Sequence, residues 1–456
     1  MGPEIGFETI GNATLICYDR GPVLVTDPWI KGSAYFGSWG LSHKIPDEQF
    51  EAATHARFVW FSHGHPDHLN HESLPLFRGR EILLPNHYGG RIFRDLVQQG
   101  FQVRVLEDRK WYQLSDRVRV LCIADDIQDA ILLVDLDGKL LININDCSPG
   151  GWMRFVRRTA RRYRVSFLLA LCCYGDADMI NFFDESGKRI LPAAARKNPL
   201  GVQIAQATEA LEAKFFVPFS SFHRYQREDS VWAREYETKL ADFSRGFHSD
   251  RCSLLPAFIR YDATKERHSE LAPAENSREI LPASDFGDNW SDCLEPEDVS
   301  SARSYFQSVE HLKESLDRVS LRVGGVEHVV ELGKNRGRSI TFEAPRGSLM
   351  TSIKYEIFDD MLIGNFMKTT LHGNWEGTQL WPHLGPFLTK YADNGRAKSR
   401  EEVAAYLKSY RDRALDNRLE LFERKVVRAA KALVPKGSMG FRVAKKAYWT
   451  LRRFTG

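Results

Sequence analysis

Residues His63-Gly64-His65-Pro66-Asp67-His68 place three imidazoles and a carboxylate within six positions, directly after the apolar run Phe58-Val59-Trp60-Phe61. No folded core requires that density of metal-binding groups. Two residues apart in an extended or tightly turned segment, His63 and His65 point the same way and can share one cation. Asp67 and His68 fall on the other side of the turn, placed to hold a second cation nearby. Two cations so held can activate a bound oxygen species and clamp a substrate oxygen. A structural zinc site would add cysteines or spread its ligands in pairs, and neither pattern is present.

These side chains need a scaffold that delivers them to one point. Up to about residue 265, short β-branched or aromatic runs alternate with amphipathic stretches. Strands are predicted at 14–18, 23–26, 58–62, 81–84, 103–106, 118–123, 130–134, 140–145, 166–171 and 214–218, and helices at 88–99, 152–163 and 201–212. Hairpin-like early strands mixed with helices predict an α/β sandwich, two mixed sheets with helices outside. Residues 1–265 read as the catalytic domain and 266–299, rich in Glu, Ser, Pro, Asp and Asn, as an extension or linker. Residues 300–395 read as a small α+β domain, in which 350–359 and 361–368 form a hairpin split at Asp359-Asp360. Residues 396–456 read as a basic helical tail.

The histidine-rich turn after an apolar strand resembles the signature of the metallo-β-lactamase superfamily, and two more pieces follow in the expected order. Ile10 to Leu15 followed by Val23-Leu24-Val25-Thr26-Asp27 looks like the first hairpin, ending in an Asp27 that braces the metal loop from behind. Gly138 to Cys147 looks like the strand whose terminal Asp146 bridges two metals. The resemblance covers roughly residues 5 to 265 and implies the αββα sandwich of that superfamily, with the C-terminal α+β part as an extension.

The family's ligand set departs from the sequence in two places. Where a third His is usual, after the strand at 118–123, the chain has Asp125-Asp126, followed by Asp129. Asp125 aligns with the ligand position and Asp126 is a close alternative; capping of a turn is the plainer reading of both. A carboxylate there shifts preference from zinc toward iron or manganese. The last family ligand, a His after a late strand, is replaced by Pro218 or Phe219, which leaves His223 as the candidate. His87 reads as a supporting residue or a helix start. The resemblance then implies His63, His65 and Asp125 on one metal, Asp67, His68 and His223 on the other, and Asp146 between them, with Asp67 and Asp146 as the catalytic carboxylates.

Three local strings narrow the likeness: Asn145-Asp146-Cys147 before Pro149-Gly150-Gly151, Val217 to Phe222, and Asp285 to Trp290. Together they look like the metallo-β-lactamase portion of the CMP-N-acetylneuraminic acid hydroxylases, oxygenases that draw electrons from a Rieske module. A carboxylate at the third-His position is also similar to the diiron β-hydroxylase of chloramphenicol biosynthesis. A Rieske centre needs Cys-x-His and Cys-x-x-His pairs, and none of the seven cysteines stands in such a setting. Electrons would therefore come from a separate Rieske- or ferredoxin-type partner.

Arg154, Arg157, Arg158, Arg161 and Arg162 recur at helical spacing. Guanidinium clusters grip phosphate or carboxylate bidentately, so Arg157 and Arg161, with Arg224 and Tyr174, are the candidate contacts to a small anionic substrate. A solvated helix face is the plainer alternative. The leading expectation is a diiron oxygenase hydroxylating an anionic sugar-, nucleotide- or lipid-linked substrate. The alternative is a zinc- or manganese-dependent hydrolase of a phosphodiester, amide or lactone, and a non-catalytic metal-sensing scaffold comes third.

Composition narrows the setting. The 456 residues carry a net charge of +3, which argues against a nucleic-acid partner. Seven cysteines without Cys-x-x-Cys spacing read as thiols of a reducing compartment. With no signal-like start and no membrane-spanning run, a cytoplasmic location is expected. From Arg424 onward basic residues interleave with Phe441, Tyr448, Trp449, Leu451 and Phe454, with no Asp or Glu among them. Such a tail suits peripheral contact with an anionic inner membrane surface; a plain docked helix is the blander and slightly favoured alternative, and a nucleic-acid-binding tail the third.

Overall fold

A computed structural model describes residues 2–147, 152–175, 179–375, 380, 383–392 and 396–413. Two sheets face each other across a shared core. The first has eight strands in the order Arg267–Glu270, Ile259–Asp262, Ile5–Ile10, Thr14–Asp19, Pro22–Thr26, Phe58–Trp60, Glu81–Pro85 and Gln102–Leu106. The second has seven, in the order Ser253–Leu254, Phe215–Pro218, Val165–Ala170, Lys139–Asn145, Ala130–Leu136, Val118–Ala124 and Trp111–Gln113.

Alternation along each strand explains the layering. One set of side chains, among them Phe7, Leu15, Leu24 and Trp60 from the first sheet and Val120, Leu132, Leu141 and Phe167 from the second, fills the space between sheets. Their neighbours in sequence, such as Ile16, Val25, Val59, Leu133 and Ile142, turn outward to meet Ala53, Leu96, Val156 and Ile204 on the covering helices. Both faces of the central strands are therefore buried, which is why they read as continuous apolar runs. Those helices are Asp47–His55, Arg91–Gln98, Met153–Ala160 and Leu200–Leu211. The result is an αββα sandwich, the layering that the resemblance to the metallo-β-lactamase superfamily implies.

A second domain is built on a five-stranded sheet ordered Phe182–Phe183, Lys368–Gly373, Arg338–Glu343, Arg318–Val323 and Val326–Glu331. Helices Pro296–Ser308, Arg346–Tyr355 and Phe358–Ile363 contribute Phe306, Leu349 and Phe358 to its core. The edge strand Phe182–Phe183 comes from the first half of the chain and runs parallel to its partner, Phe182 opposite Thr369.

Three expectations change. The predicted hairpin over 350–368 is instead two helices, because Leu349, Ser352 and Ile353 recur at helical spacing and all are buried. Asp359 and Asp360 lie in the first turn of the second helix, not at a strand turn. The stretch 266–299 does not wander: Arg267–Glu270 extends the first sheet, Lys44 donates its N–H to the Ala274 carbonyl, and Asp288 pairs with buried Arg227 at 2.8 Å. Within the expected tail, helix Arg400–Arg413 docks through Val403, Tyr406 and Tyr410. The basic segment from Arg424, with its expected membrane contact, lies outside the described residues, as do Pro149-Gly150-Gly151. Among the described residues no helix is long and apolar enough to cross a membrane.

Candidate metal centre

The histidine loop leaves the end of strand Phe58–Trp60, which runs parallel between Pro22–Thr26 and Glu81–Pro85. Two neighbours end beside it. Asp27, in the left-handed region at φ 41°, accepts the Ser62 N–H at 2.7 Å with one oxygen. Its other oxygen accepts from the Asn145 amide at 3.0 Å and lies 3.3 Å from His68 Nδ1. Asn145, also at φ 41°, ends the strand that presents Asp146. These contacts fix the loop from behind and turn His68 Nε2 forward.

His63, His68 and Asp146 each offer a donor atom within 4.8 Å of the others. His68 Nε2 stands 3.2 Å from Asp67 Oδ2 and 3.3 Å from Asp146 Oδ2, yet makes no hydrogen bond. The ring centroids of His63 and His68 are 4.2 Å apart, and those of His63 and His65 4.6 Å. Asp67 is held by Tyr35 Oη–H at 2.6 Å and by the Asn12 amide at 3.1 Å. Asp146 accepts from Ser220 Oγ–H at 3.2 Å. Buried imidazoles crowded among carboxylates, with a donor nitrogen left over, fit a cation.

The electrostatics follow. Burial, reinforced by the charges of His68, His65 and His87, drives His63 well below the usual imidazole range. For His68 burial opposes protonation, but Asp67, Asp146 and Asp27 overcome it and raise the ring well above that range. Burial alone would raise the Asp67 carboxyl; His68 and the Tyr35 hydroxyl outweigh it and lower it.

His65 turns elsewhere. Its Nδ1 lies 2.9 Å from His63 Nε2, while its Nε2 lies 3.3 Å from Asp359 Oδ2 in the second domain. Against burial, Asp359, Asp360 and Asp67 push it up to about 10. A cleft of about 350 Å³ opens here, walled by His63, His65, Asp359 and Arg91 and by aliphatic side chains including Ile92, Ile180 and Leu362.

The other sequence candidates are distributed as follows. Asp125 accepts the N–H groups of Ile127 and Asp129 at 2.9 and 3.3 Å and the Cys147 thiol at 3.2 Å, so it caps its turn. The Asp126 carbonyl accepts from Tyr406 Oη–H. The carboxylate beside His63 is Asp129, at 3.6 Å, and burial among Asp125 and Asp146 raises it well above the usual carboxylate range. His223 sits on the short strand His223–Tyr225, stacked on Trp39 at 3.5 Å and 2°. Its Nδ1 is buried without a hydrogen-bond partner, and burial lowers the ring to about 3 against the charge of Asp67. Arg157 and Arg161 meet Glu212, at 3.8 and 2.7 Å. Arg224 alternates with His223 and reaches Gln226, and the Tyr174 N–H meets Thr238.

No family model matches the chain. Over 225 residues it is 25% identical to a human protein (Homo sapiens) named inactive cytidine monophosphate-N-acetylneuraminic acid hydroxylase, covering 47% of this chain and 44% of that one. The hydroxylase of that name from Macaca mulatta is 25% identical over the same length, covering 47% and 38%. That of Asterias rubens is 29% identical over 139 residues, covering 28% and 21%. The chain resembles these hydroxylases. It spans less than half the length of those it matches. Among solved structures, CmlA, a diiron β-hydroxylase from Streptomyces venezuelae, aligns with a TM-score of 0.34 and 13% identity over 59% of this chain and 55% of that one. An isothiocyanate hydrolase from Delia radicum gut bacteria aligns with a TM-score of 0.35 and 14% identity over 56% and 97%. Values this low carry no assignment of activity.

Around the histidine loop, several residues escape a reading of the sequence. Asn12, Tyr35 and Ser220 are common residue types with no distinctive spacing. Asp359 and Asp360 did carry a signal, two acids inside the apolar run Ile357-Phe358 and Met361-Leu362-Ile363.

Proposed function

We propose that the chain is a dinuclear metal enzyme, an oxygenase that hydroxylates its substrate at iron. The grouping of His63, His68 and Asp146 supports this most directly. Two imidazoles and one carboxylate are the donor types of non-haem iron(II) oxygenases, and a resemblance to hydroxylases points the same way. Bound there, iron would supply the activation of dioxygen. Asp67 stays anionic beside His68, Asp27 and Asn145 fix the ring that donates Nε2, and aliphatic side chains form part of the wall of the cleft in front.

Hydroxylation inserts one oxygen atom into a C–H bond and reduces the other to water, which takes two electrons and two protons. A separate Rieske- or ferredoxin-type protein supplies those electrons in this reading. The aliphatic part of the cleft favours a substrate whose reacting end is apolar, and Arg91, itself paired with Asp95, is the arginine on its wall. Arg157 and Arg161, held by Glu212, serve this less well than their spacing suggested.

A manganese- or zinc-dependent hydrolase is the second reading, since the carboxylates around the loop suit manganese as well as iron. Metal analysis of protein purified without added metal separates the two. About two irons per chain, with oxygen uptake that depends on added reductant, is the expected result. Zinc or manganese in their place, with turnover of a phosphodiester, amide or lactone and no oxygen uptake, would overturn it.

A further inference from the structure

We propose that Asp359 and Asp360, carried by the second domain, complete a cation site with His65 and so extend the metal centre beyond the metallo-β-lactamase sandwich. The inference rests on the metal-centre reading above and assigns the composition of its second position.

Donor atoms of His65, Asp359 and Asp360 lie within 4.8 Å of one another. His65 faces both groups at once, one ring nitrogen toward His63 and the other toward Asp359 Oδ2. Asp359 is 9% exposed and Asp360 6%, and Asp359 Oδ1 is buried without a hydrogen-bond partner. Adjacent buried carboxylates repel each other, and an unsatisfied carboxylate oxygen is expensive to bury. A divalent cation relieves both. Asp359 also lines the cleft with His63 and His65, so the site opens where substrate would lie. One imidazole and two carboxylates suit manganese(II) or iron(II) better than zinc. The competing explanation is an ion pair that ties the two domains through protonated His65, and it predicts no effect on metal binding.

The full chain, stripped of metal by chelation, is titrated with manganese(II), and free ion is followed by electron paramagnetic resonance. Circular dichroism establishes that each variant folds. The wild type binds two ions, and Asp359→Asn or Asp360→Asn weakens one of them about tenfold or more while leaving the other unchanged. If one variant does not fold, the other decides. Variants that keep wild-type stoichiometry and affinity, even with a lowered melting temperature, overturn the inference and leave the first metal position standing. A wild type that binds no manganese and carries no iron overturns the metal-centre reading and this one with it.

Discussion

The two clusters around the histidine loop are built in different ways. His63, His68 and Asp146 all come from loops that follow strands of one sandwich; Asp27 and Asn145 brace them from within it, and Asn12 and Tyr35 hold the neighbouring Asp67. His65, Asp359 and Asp360 meet across domains, the two acids riding on the short helix Phe358–Ile363. A cluster of the first kind is pre-organised by one hydrophobic core. One of the second kind exists only when two cores are docked, so its geometry inherits whatever stability that docking has.

The sharpest way to break the comparison is His68→Ala. The ring is fully buried among Asp27, Asp67 and Asp146. Its loss leaves three carboxylates facing one another and should destabilise the metal-free protein by about 3–5 kcal/mol. Urea unfolding measures this, and the same variant should lose the first ion; His65→Ala, at a partly exposed ring, should cost clearly less. Next in size is Asp27→Asn, which weakens the orientation of His68 without removing a ligand. Metal affinity should fall about 10–100-fold at the first position and stay constant at the second, a split that equilibrium dialysis can resolve. Equal loss at both would mean that the clusters are not separately built.

The smallest effect concerns pH. His87 Nε2–H donates to the Ser62 carbonyl at 3.1 Å and Nδ1 accepts from the Tyr410 hydroxyl at 3.2 Å, linking the histidine loop to helix Arg400–Arg413. Burial lowers its pKa from 6.5 to about 4, with Ser62 opposing and Arg413 assisting. The unfolded chain therefore takes up this proton first. Its contribution to stability is full above about pH 6.5 and is lost as pH falls through 4. Urea midpoints measured between pH 7 and 4 should fall more steeply in the wild type than in His87→Gln, and equal slopes would remove His87 from the link.

What could be read from the sequence followed the same division. Phe58–Trp60 and the residues after it are contiguous, so strand, loop and chemistry announce themselves together. Asp27 and Asp146 follow apolar strands that a period-two pattern locates. A strand end fixes a position only to within a few residues, which is why the sequence points to Asp125, while the turn Asp125–Asp129 brings Asp129 to within 3.6 Å of His63. Asp359 is marked in the sequence as an acid inside an apolar run, yet its element is not fixed there, for a different reason. The segment around it satisfies strand and helix periods alike, and only burial of Leu349, Ser352 and Ile353 on one face decides. Docking of Tyr406 and Tyr410 was visible in principle, since four-residue spacing of two tyrosines marks a helix face with something to cover.

The graft of Phe182–Phe183 onto the edge of the smaller sheet has a practical consequence. A fragment ending near residue 265 would carry an aromatic strand stripped of its neighbour Lys368–Gly373, and the remainder would present a bare sheet margin. Severing the polypeptide between its lobes should therefore yield two sticky pieces, so the lobes are expected to stay soluble only when expressed as one.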